Sequence, residues 1–138
     1  MRKIKVIITI DDNGGLMFNK RRQSRDRVLI DDMCKSINEK IHMNAYSAQL
    51  FDAYLDKICI FDNPLKDCPD GGYVFLEGTH IGNYMHEIDE LIVYHWNKLY
   101  PSDMRLDINI ENSELKLYNK YDFAGSSHDK ITKGIYKK

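Results

Sequence analysis

The sequence predicts a mixed α/β fold, with a mostly parallel sheet flanked by helices and an antiparallel hairpin at the C-terminal end. Short β-branched runs alternate with helix-like segments in the first half of the chain, which is typical of parallel strand pairing. The later runs follow one another over short connections, which is typical of antiparallel pairing. At 138 residues and 43% hydrophobic, the chain is expected to be a single domain over residues 1–138.

The first elements follow from local patterns. Residues 2–10 start by alternating and end in a continuous apolar run, as a strand buried on both faces does. Residues 11–15 are a turn cluster of Asp, Asn and Gly. Apolar residues spaced along one face then predict a helix that reaches about Asn38. Ser24 is its expected N-cap, and Asp26 is expected in its first turn.

The remaining elements are short and mostly strands. Ser47 is expected to cap a second helix. The predicted strands after the first helix are residues 40–44, 57–61, 73–77, 90–96, 104–110, 114–123 and 130–136. The last two are joined across a polar loop, so they form the predicted C-terminal hairpin.

Residues 19–27 form the most unusual window of the chain. They hold five cations against one carboxylate, a local charge of +4, in a protein of formal net charge −1. Such a loop ahead of a helix suits a phosphate or carboxylate, because free N–H groups and the helix dipole favour an anion there. Arg21, Arg22 and Arg25 are the expected phosphate ligands, since guanidinium pairs with phosphate in a bidentate fork. The alternative is a solvated basic loop.

Composition argues against several functional classes. A nearly neutral chain lacks the basic surplus of a general nucleic-acid binder. Its apolar runs are far shorter than the roughly 20 residues of a membrane helix, and its start has no signal-peptide pattern, so we expect a cytoplasmic protein. Three cysteines without CxxC spacing and histidines without HxxxH spacing disfavour a disulfide framework and a metal site.

Several segments resemble motifs of the dihydrofolate reductase superfamily, over nearly the full chain. Residues 7–16 resemble the family's first strand and its D-x-N-G-x-I-G loop, and residues 41–47 resemble its V-I-M-G-R-x-T segment, where a strand leads into a phosphate-facing helix start. Residues 89–95 and 100–107 resemble the strand before the family's terminal hairpin and its GD-x-x-FP passage. The resemblance implies a dihydrofolate-reductase-like fold and suggests NADPH as a cofactor.

Two departures from the family pattern affect the dinucleotide. The pyrophosphate-facing Gly-Arg is here Asn44-Ala45, although Ser47 keeps a hydroxyl where the family has Thr. The family's glycine-rich G-G-x-x-[IV]-Y is reduced to a stretch that keeps Gly78 and places Glu77 before it. Glycines let the backbone approach a dinucleotide, and a glutamate repels its pyrophosphate. The sequence therefore disfavours an ordinary NADPH-dependent reductase and leaves the cofactor unknown.

The first hypothesis is that a diverged domain binds a phosphorylated or nucleotide-derived small ligand, as a sensor or sequestering protein without hydride transfer. Besides the three arginines, the expected ligand-binding residues are Asn19, Ser24, Asn44, Ser47, Gly78, Ser126 and Ser127. The alternative for the helix-start residues is plain N-capping, and for the two late serines it is a turn held by hydroxyl-to-backbone bonds. The sequence leaves a homo-oligomer open.

Three other functions stay open, so the sequence leaves undecided whether the chain is an enzyme. An NADPH-dependent reductase of a pterin-like substrate would use Asp26, the nearest candidate for the family's acid at the start of the first helix. A phosphodiester-cleaving enzyme would use His128 with the arginines. Serine and histidine within residues 125–130 also suggest a nucleophile and base, but catalytic pairs are normally assembled from distant positions. The third is an inhibitor module that presents the basic loop to an acidic protein.

Overall fold

The computed structural model describes residues 2–138, so Met1 of the predicted domain lies outside it. The strands are β1 Ile4–Ile10, β2 Gly15–Phe18, β3 Arg21–Arg22, β4 Ile41–Met43, β5 Ile58–Ile60, β6 Tyr73–Phe75, β7 Ile88–His95, β8 Met104–Arg105, β9 Lys116–Phe123 and β10 Ile131–Lys137. The helices are α1 Arg27–Ser36, α2 Ala45–Ala48 and α3 Pro64–Asp67, with 3₁₀ segments at Gln49–Lys57, Gly82–Tyr84 and Ile110–Asn112.

Seven strands form one mixed sheet, in the order β5-β4-β6-β1-β7-β10-β9. The strand β1 runs parallel to both β6 and β7, and β4 runs parallel to β5 and β6. The strand β10 pairs antiparallel with β7 and β9. The predicted class, a mostly parallel sheet with a C-terminal antiparallel hairpin, is confirmed.

The apolar run of β1 serves two cores, as its pattern predicts. Val6, Ile8 and Ile10 belong to a core on one face of the sheet, which α3 and the loops cover. Ile7 belongs to the core on the other face, where α1 and the segment Gln49–Lys57 pack. The middle of β1 thus lies between two apolar layers, which is why residues 6–8 form a continuous apolar run.

Residues 15–22 form a β-hairpin rather than an open basic loop. The strand β2 pairs with β3 and also with β8, giving a separate three-stranded sheet. The turn residues Asn19 and Lys20 have φ of 52° and 61°. Positive φ at both central residues is what a two-residue hairpin turn needs, and Asn tolerates it well. Asn19, expected as a ligand residue, therefore has a structural reason for its position.

Two predicted elements are shorter or less regular than expected. The predicted strand at 104–110 is a strand only at Met104–Arg105, and its end joins a 3₁₀ turn. The second helix is regular only over Ala45–Ala48, because Phe51 and Tyr54 have non-helical dihedral angles in the segment that follows. Within residues 2–138, no helix is long and apolar enough to cross a membrane.

The strand order brings one end of the sheet and one helix start together. Parallel strands β1, β4 and β6 all end at the same edge, at Ile10, Met43 and Phe75. Residues that follow these ends, such as Asn44 and Glu77, therefore lie on the side where ligands bind to open α/β sheets.

Candidate active site

Asp26 caps the start of α1. Its backbone is extended, and its Oδ1 accepts hydrogen bonds from the backbone N–H groups of Val28 (2.9 Å) and Leu29 (3.3 Å). A carboxylate suits this position because the first N–H groups of a helix have no partner within it. The prediction that Ser24 is the cap is wrong, since both residue types are good caps and the sequence alone did not distinguish them.

The loop between β9 and β10 closes over the same carboxylate. The backbone N–H groups of Ser126 and Ser127 donate to Asp26 at 2.9 Å and 2.8 Å, and the Ser126 hydroxyl donates at 3.2 Å. His128 places its Nδ1 2.9 Å from Asp26 Oδ2. Gly125 permits this approach, because a Cβ there would overlap the Asp26 carboxylate. Ser126 and Ser127, both expected to bind a ligand, thus have a structural role in holding Asp26.

These hydrogen bonds keep Asp26 charged. Burial by itself raises the pKa of this carboxyl, but the hydrogen bonds from His128, Ser126, Ser127 and Leu29 outweigh it and hold the pKa far below its usual range. The side chains of His128 and Asp26 are 1% and 0% exposed. The reductase hypothesis gives Asp26 the role of an acid, whereas these hydrogen bonds favour its charged form, which has no proton to donate.

The far side of the His128 ring faces two hydroxyls. Its Nε2 lies 3.1 Å from Ser24 Oγ and 2.9 Å from the Tyr100 hydroxyl. The indole of Trp96 stacks on the imidazole, with ring centroids 4.6 Å apart and an interplanar angle of 25°. Asp26, His128, Ser24 and Tyr100 therefore form one hydrogen-bonded chain, which we call the relay. Because His128 is buried within it, this imidazole does not face open solvent.

A second network ties the basic window to the end of β6. Arg22 makes a bidentate pair with Glu77, at 2.8 Å from Nε to Oε2 and 3.0 Å from Nη2 to Oε1. It also donates to the backbone carbonyl of Tyr46 and lies over that residue's ring, 4.1 Å from the centroid. Ser47 donates its hydroxyl to Glu77 Oε1 at 2.8 Å. The Glu77 side chain is 4% exposed, so this ion pair is largely removed from water.

Three further residues expected to bind the ligand have protein partners instead. Asn44 caps α2, since its Oδ1 accepts the backbone N–H of Ser47 at 2.9 Å. The hydroxyl of Ser47 points to Glu77 rather than to a cleft. Gly78 has φ of +63°, and Met17 lies against the position that a side chain would take there. The non-ligand interpretations of Asn44 and Ser47 are therefore sufficient.

Two cavities flank the networks and divide the basic window between them. The first, which we call the arginine pocket, has a volume of about 470 Å³ and is lined by Phe18, Asn19, Arg21, Arg22, Gln23, Tyr100 and Pro101. The second, of about 400 Å³, takes in Arg25 and Arg27 together with Asp31, Asp52, Ser126 and Ser127. Arg21 and Arg25, expected to bind one ligand together, thus line different cavities.

Between the cavities the cleft is nearly closed. A void of about 10 Å³ remains where α1 meets the end of the sheet, bounded by residues that include Ser24, Asp26, Glu77 and Trp96. That is about the space of one water molecule. A pterin-sized ligand requires this cleft to open.

Sequence reasoning missed several residues that shape the site. Tyr100 touches His128 and Ser24, and Trp96 packs on the imidazole. Asp11, which is 2% exposed, fastens the base of the hairpin by accepting from the backbone of Gly15 at 2.7 Å and of Tyr100 at 3.2 Å. Only the Asp-x-Asn-Gly turn pattern signalled Asp11. The other contacts join residues far apart in the chain.

The histidines do not assemble a metal centre. Within residues 2–138, no group of three or more His, Cys, Asp or Glu side chains is placed to hold a metal ion. Burial and the nearby charge of Lys120 lower the pKa of His95, a half-buried side chain of β7.

No family model matches the chain, and no curated protein matches it in sequence. Among solved structures, the chain is similar to dihydrofolate reductase from Enterococcus faecalis, solved as a complex with NADP(H) and RAB-propyl, with a TM-score of 0.69. The match covers 98% of this chain and 95% of the reductase, at 10% sequence identity. The chain has a dihydrofolate-reductase-like fold. The fold that the sequence motifs implied is therefore confirmed, while so low an identity carries no information on activity.

Proposed function

We propose that this dihydrofolate-reductase-like domain binds a small phosphorylated or nucleotide-derived ligand in the arginine pocket, as a sensor or sequestering protein that transfers no hydride. One observation carries the proposal. Arg21 lines a cavity of about 470 Å³, and none of the ion pairs within residues 2–138 involves it. An exposed guanidinium in a concave site is a good partner for a phosphate.

The rest of the pocket suits the organic part of such a ligand. The Phe18 ring is 43% exposed, and the Tyr100 ring lines the same cavity, so both offer a face on which a base can stack. The exposed side chain of Asn19 adds an amide group, whereas the Gln23 amide nitrogen donates to Asp11 and to the Pro101 carbonyl. Aromatic faces combined with a cation and an amide are the groups that bind a nucleotide at both of its ends.

The contacts of Glu77 favour this pocket over a dinucleotide bound in the family manner. The segments at Asn44-Ala45 and Glu77-Gly78 resemble the family's pyrophosphate-facing motifs. Here Ser47 and Arg22 both donate to the Glu77 carboxylate. Two donors suited to a pyrophosphate are therefore taken by a protein anion, and the charge of Glu77 repels a second anion.

An NADPH-dependent reductase is the second candidate, because the Enterococcus faecalis protein of the same fold was solved with NADP(H). Its requirement is that Arg22 releases Glu77 and that the cleft near Ser24 and Asp26 opens. The test is oxidation of NADPH with a dihydropterin acceptor, followed as loss of the nicotinamide absorbance. Loss of that activity in Asp26→Asn supports the reductase, and no binding of NADPH at millimolar concentration removes it.

The test of the proposed function is a thermal-shift screen with mono- and cyclic nucleotides, ADP-ribose derivatives, NADP and NADPH. Wild-type protein is compared with Arg21→Ala, with Arg25→Ala and with Arg105→Ala, an exposed arginine outside the pocket. A ligand present at 100 times its dissociation constant adds about 2.7 kcal/mol to the free energy of unfolding, which gives a clear shift.

We expect a nucleotide to stabilise the wild type and Arg105→Ala but not Arg21→Ala. A shift lost in Arg25→Ala and kept in Arg21→Ala assigns the ligand to the second cavity instead. No shift with any member of the panel contradicts the proposal and favours a protein partner for the basic surface.

A further inference from the structure

The relay contains an arrangement that ligand binding does not use. Ser24 Oγ, the two ring nitrogens of His128 and Asp26 Oδ2 follow one another at 3.1 Å and 2.9 Å. These residues lie 104 and 102 positions apart in the chain, so the fold alone assembles them. We propose that Ser24 is a nucleophile with His128 as its general base, and that the site hydrolyses carboxylic esters of small anionic molecules.

The hydrogen bond to Asp26 sets which tautomer a neutral His128 ring adopts. The Asp26 carboxylate only accepts hydrogen bonds, so His128 Nδ1 carries the proton between them. In the neutral ring, Nε2 then has a lone pair that can accept a hydrogen bond from the Ser24 hydroxyl, 3.1 Å away, or from the Tyr100 hydroxyl, 2.9 Å away. A nucleophile, a base and a carboxylate that orients the base form the triad arrangement known from unrelated folds.

The surroundings hold this geometry. Six protein donors, counting His128 Nδ1, surround the Asp26 carboxylate. Trp96 stacks on the imidazole and fixes the plane of the ring. The side chains of His128 and Asp26 are buried whereas Ser24 is partly exposed, so the serine end of the relay is the end nearer to solvent. A substrate reaches it when the narrow void beside Ser24 opens. If His128 only tied the loop between β9 and β10 to α1, its contact with Asp26 would be enough. That explanation gives no role to the Ser24 hydroxyl at Nε2.

Tyr100 connects the relay to the arginine pocket. Its hydroxyl lies 2.9 Å from His128 Nε2 and 3.4 Å from Ser24 Oγ, and its side chain lines the pocket. One lone pair accepts one hydrogen bond well, so the two hydroxyls compete for Nε2. Tyr100 therefore limits how often Nε2 accepts the hydrogen bond of Ser24. The inference that the substrate is anionic rests on the proposed function, because Arg21, beside Tyr100, would hold the anionic group.

The reaction balances with water as the co-reactant. Ser24 Oγ attacks the ester carbonyl carbon while its proton passes to His128 Nε2, and the bond from that carbon to the alcohol oxygen breaks. The leaving alcohol takes the proton from Nε2. Water then attacks the acyl-serine, its proton passes through His128, and the carboxylic acid leaves with Ser24 restored. Asp26 stays charged throughout and stabilises the imidazolium.

The experiment is labelling of the full chain with a fluorophosphonate, in which an activated serine displaces fluoride from phosphorus. Intact-mass spectrometry measures the rate, and peptide mapping locates the adduct. We expect one adduct, on Ser24, that is absent from Ser24→Ala and at least tenfold slower to form in His128→Gln. Ser102→Ala, at another partly exposed serine, labels at the wild-type rate. Tyr100→Phe labels faster, because it removes the competing hydroxyl.

A second readout tests the substrate class. We compare p-nitrophenyl acetate with a p-nitrophenyl ester whose acyl chain ends in a carboxylate, and expect at least a tenfold higher kcat/KM for the charged ester. In Arg21→Ala the kcat/KM for the charged ester should fall to that for p-nitrophenyl acetate. A correctly folded wild type that forms no adduct, or an adduct that persists in Ser24→Ala, overturns the inference. If the adduct forms on Ser24 but no nucleotide binds, the inference stands and the proposed function is wrong.

Discussion

At the scale of single residues, the neighbouring arginines Arg21 and Arg22 differ in their ion pairing. Arg22 is committed to Glu77, and burial, which by itself lowers the pKa of the guanidinium, is outweighed by this pairing, so its pKa is raised. Arg21 makes no ion pair within residues 2–138. One side chain therefore stabilises the fold and the other is available to a ligand. Their spacing in sequence did not distinguish them.

Arg22→Ala should destabilise the protein by about 3 kcal/mol, because it leaves the buried Glu77 carboxylate without its cation. Arg21→Ala should change the free energy of unfolding by less than about 0.5 kcal/mol, as surface substitutions do. Urea unfolding monitored by circular dichroism measures both. The double variant Arg22→Ala/Glu77→Gln should recover part of the lost stability. Equal losses in Arg21→Ala and Arg22→Ala would contradict the structural role given to Arg22.

The charge of Asp26 gives the protein a definite response to acid. Its pKa is lowered in the folded state, so the stabilisation is complete above its unfolded pKa of about 3.9 and is lost as the pH falls through the folded value. Asp26→Asn should cost about 3–5 kcal/mol at pH 7. The variant's stability should also fall less steeply than the wild type's below pH 4. The exposed Asp129→Asn is the matched control and should leave both quantities unchanged.

At the scale of elements, the loop between β9 and β10 and the start of α1 form one structural unit. Gly125→Ala should push the loop off Asp26, because the added Cβ meets the carboxylate. We expect a cost of about 1–3 kcal/mol. The fluorescence of Trp96, the single tryptophan, should also change, since its ring stacks on His128. Gly71→Ala, at a left-handed glycine with open space around it, should leave that fluorescence unaltered.

Elements with strong local patterns could be predicted, and elements that depend on tertiary contacts could not. The alternating and apolar runs of β1, β7 and β10 predicted strands correctly. These strands are largely buried, and each pairs with a neighbouring strand along both edges. The run at 104–110 has the same alternation, yet only Met104–Arg105 finds a partner strand. The sequence pattern indicates which face of a segment is apolar, but it does not show whether another strand pairs with that segment.

At the scale of the whole molecule, the sequence motifs implied the fold correctly but did not imply the contacts within the site. The motifs that resemble dihydrofolate reductase implied the fold, and the structural match confirms it. The networks of the site join residues 55 and 102 positions apart, Arg22 with Glu77 and Asp26 with His128. Local sequence carries no signal for such pairs. This is why the sequence placed the three arginines together in one site, whereas the fold divides them between two cavities.

We propose that the ligand's anionic group binds at Arg21, and that no dinucleotide binds in the manner of the dihydrofolate reductase family. The most direct measurement is isothermal titration calorimetry of the wild type and of Arg21→Ala, with NADPH and with the nucleotide that gives the largest thermal shift. We expect the nucleotide to bind the wild type, Arg21→Ala to weaken this binding at least tenfold, and NADPH to give no heat at millimolar concentration. Tight binding of NADPH, equal in both proteins, would contradict it.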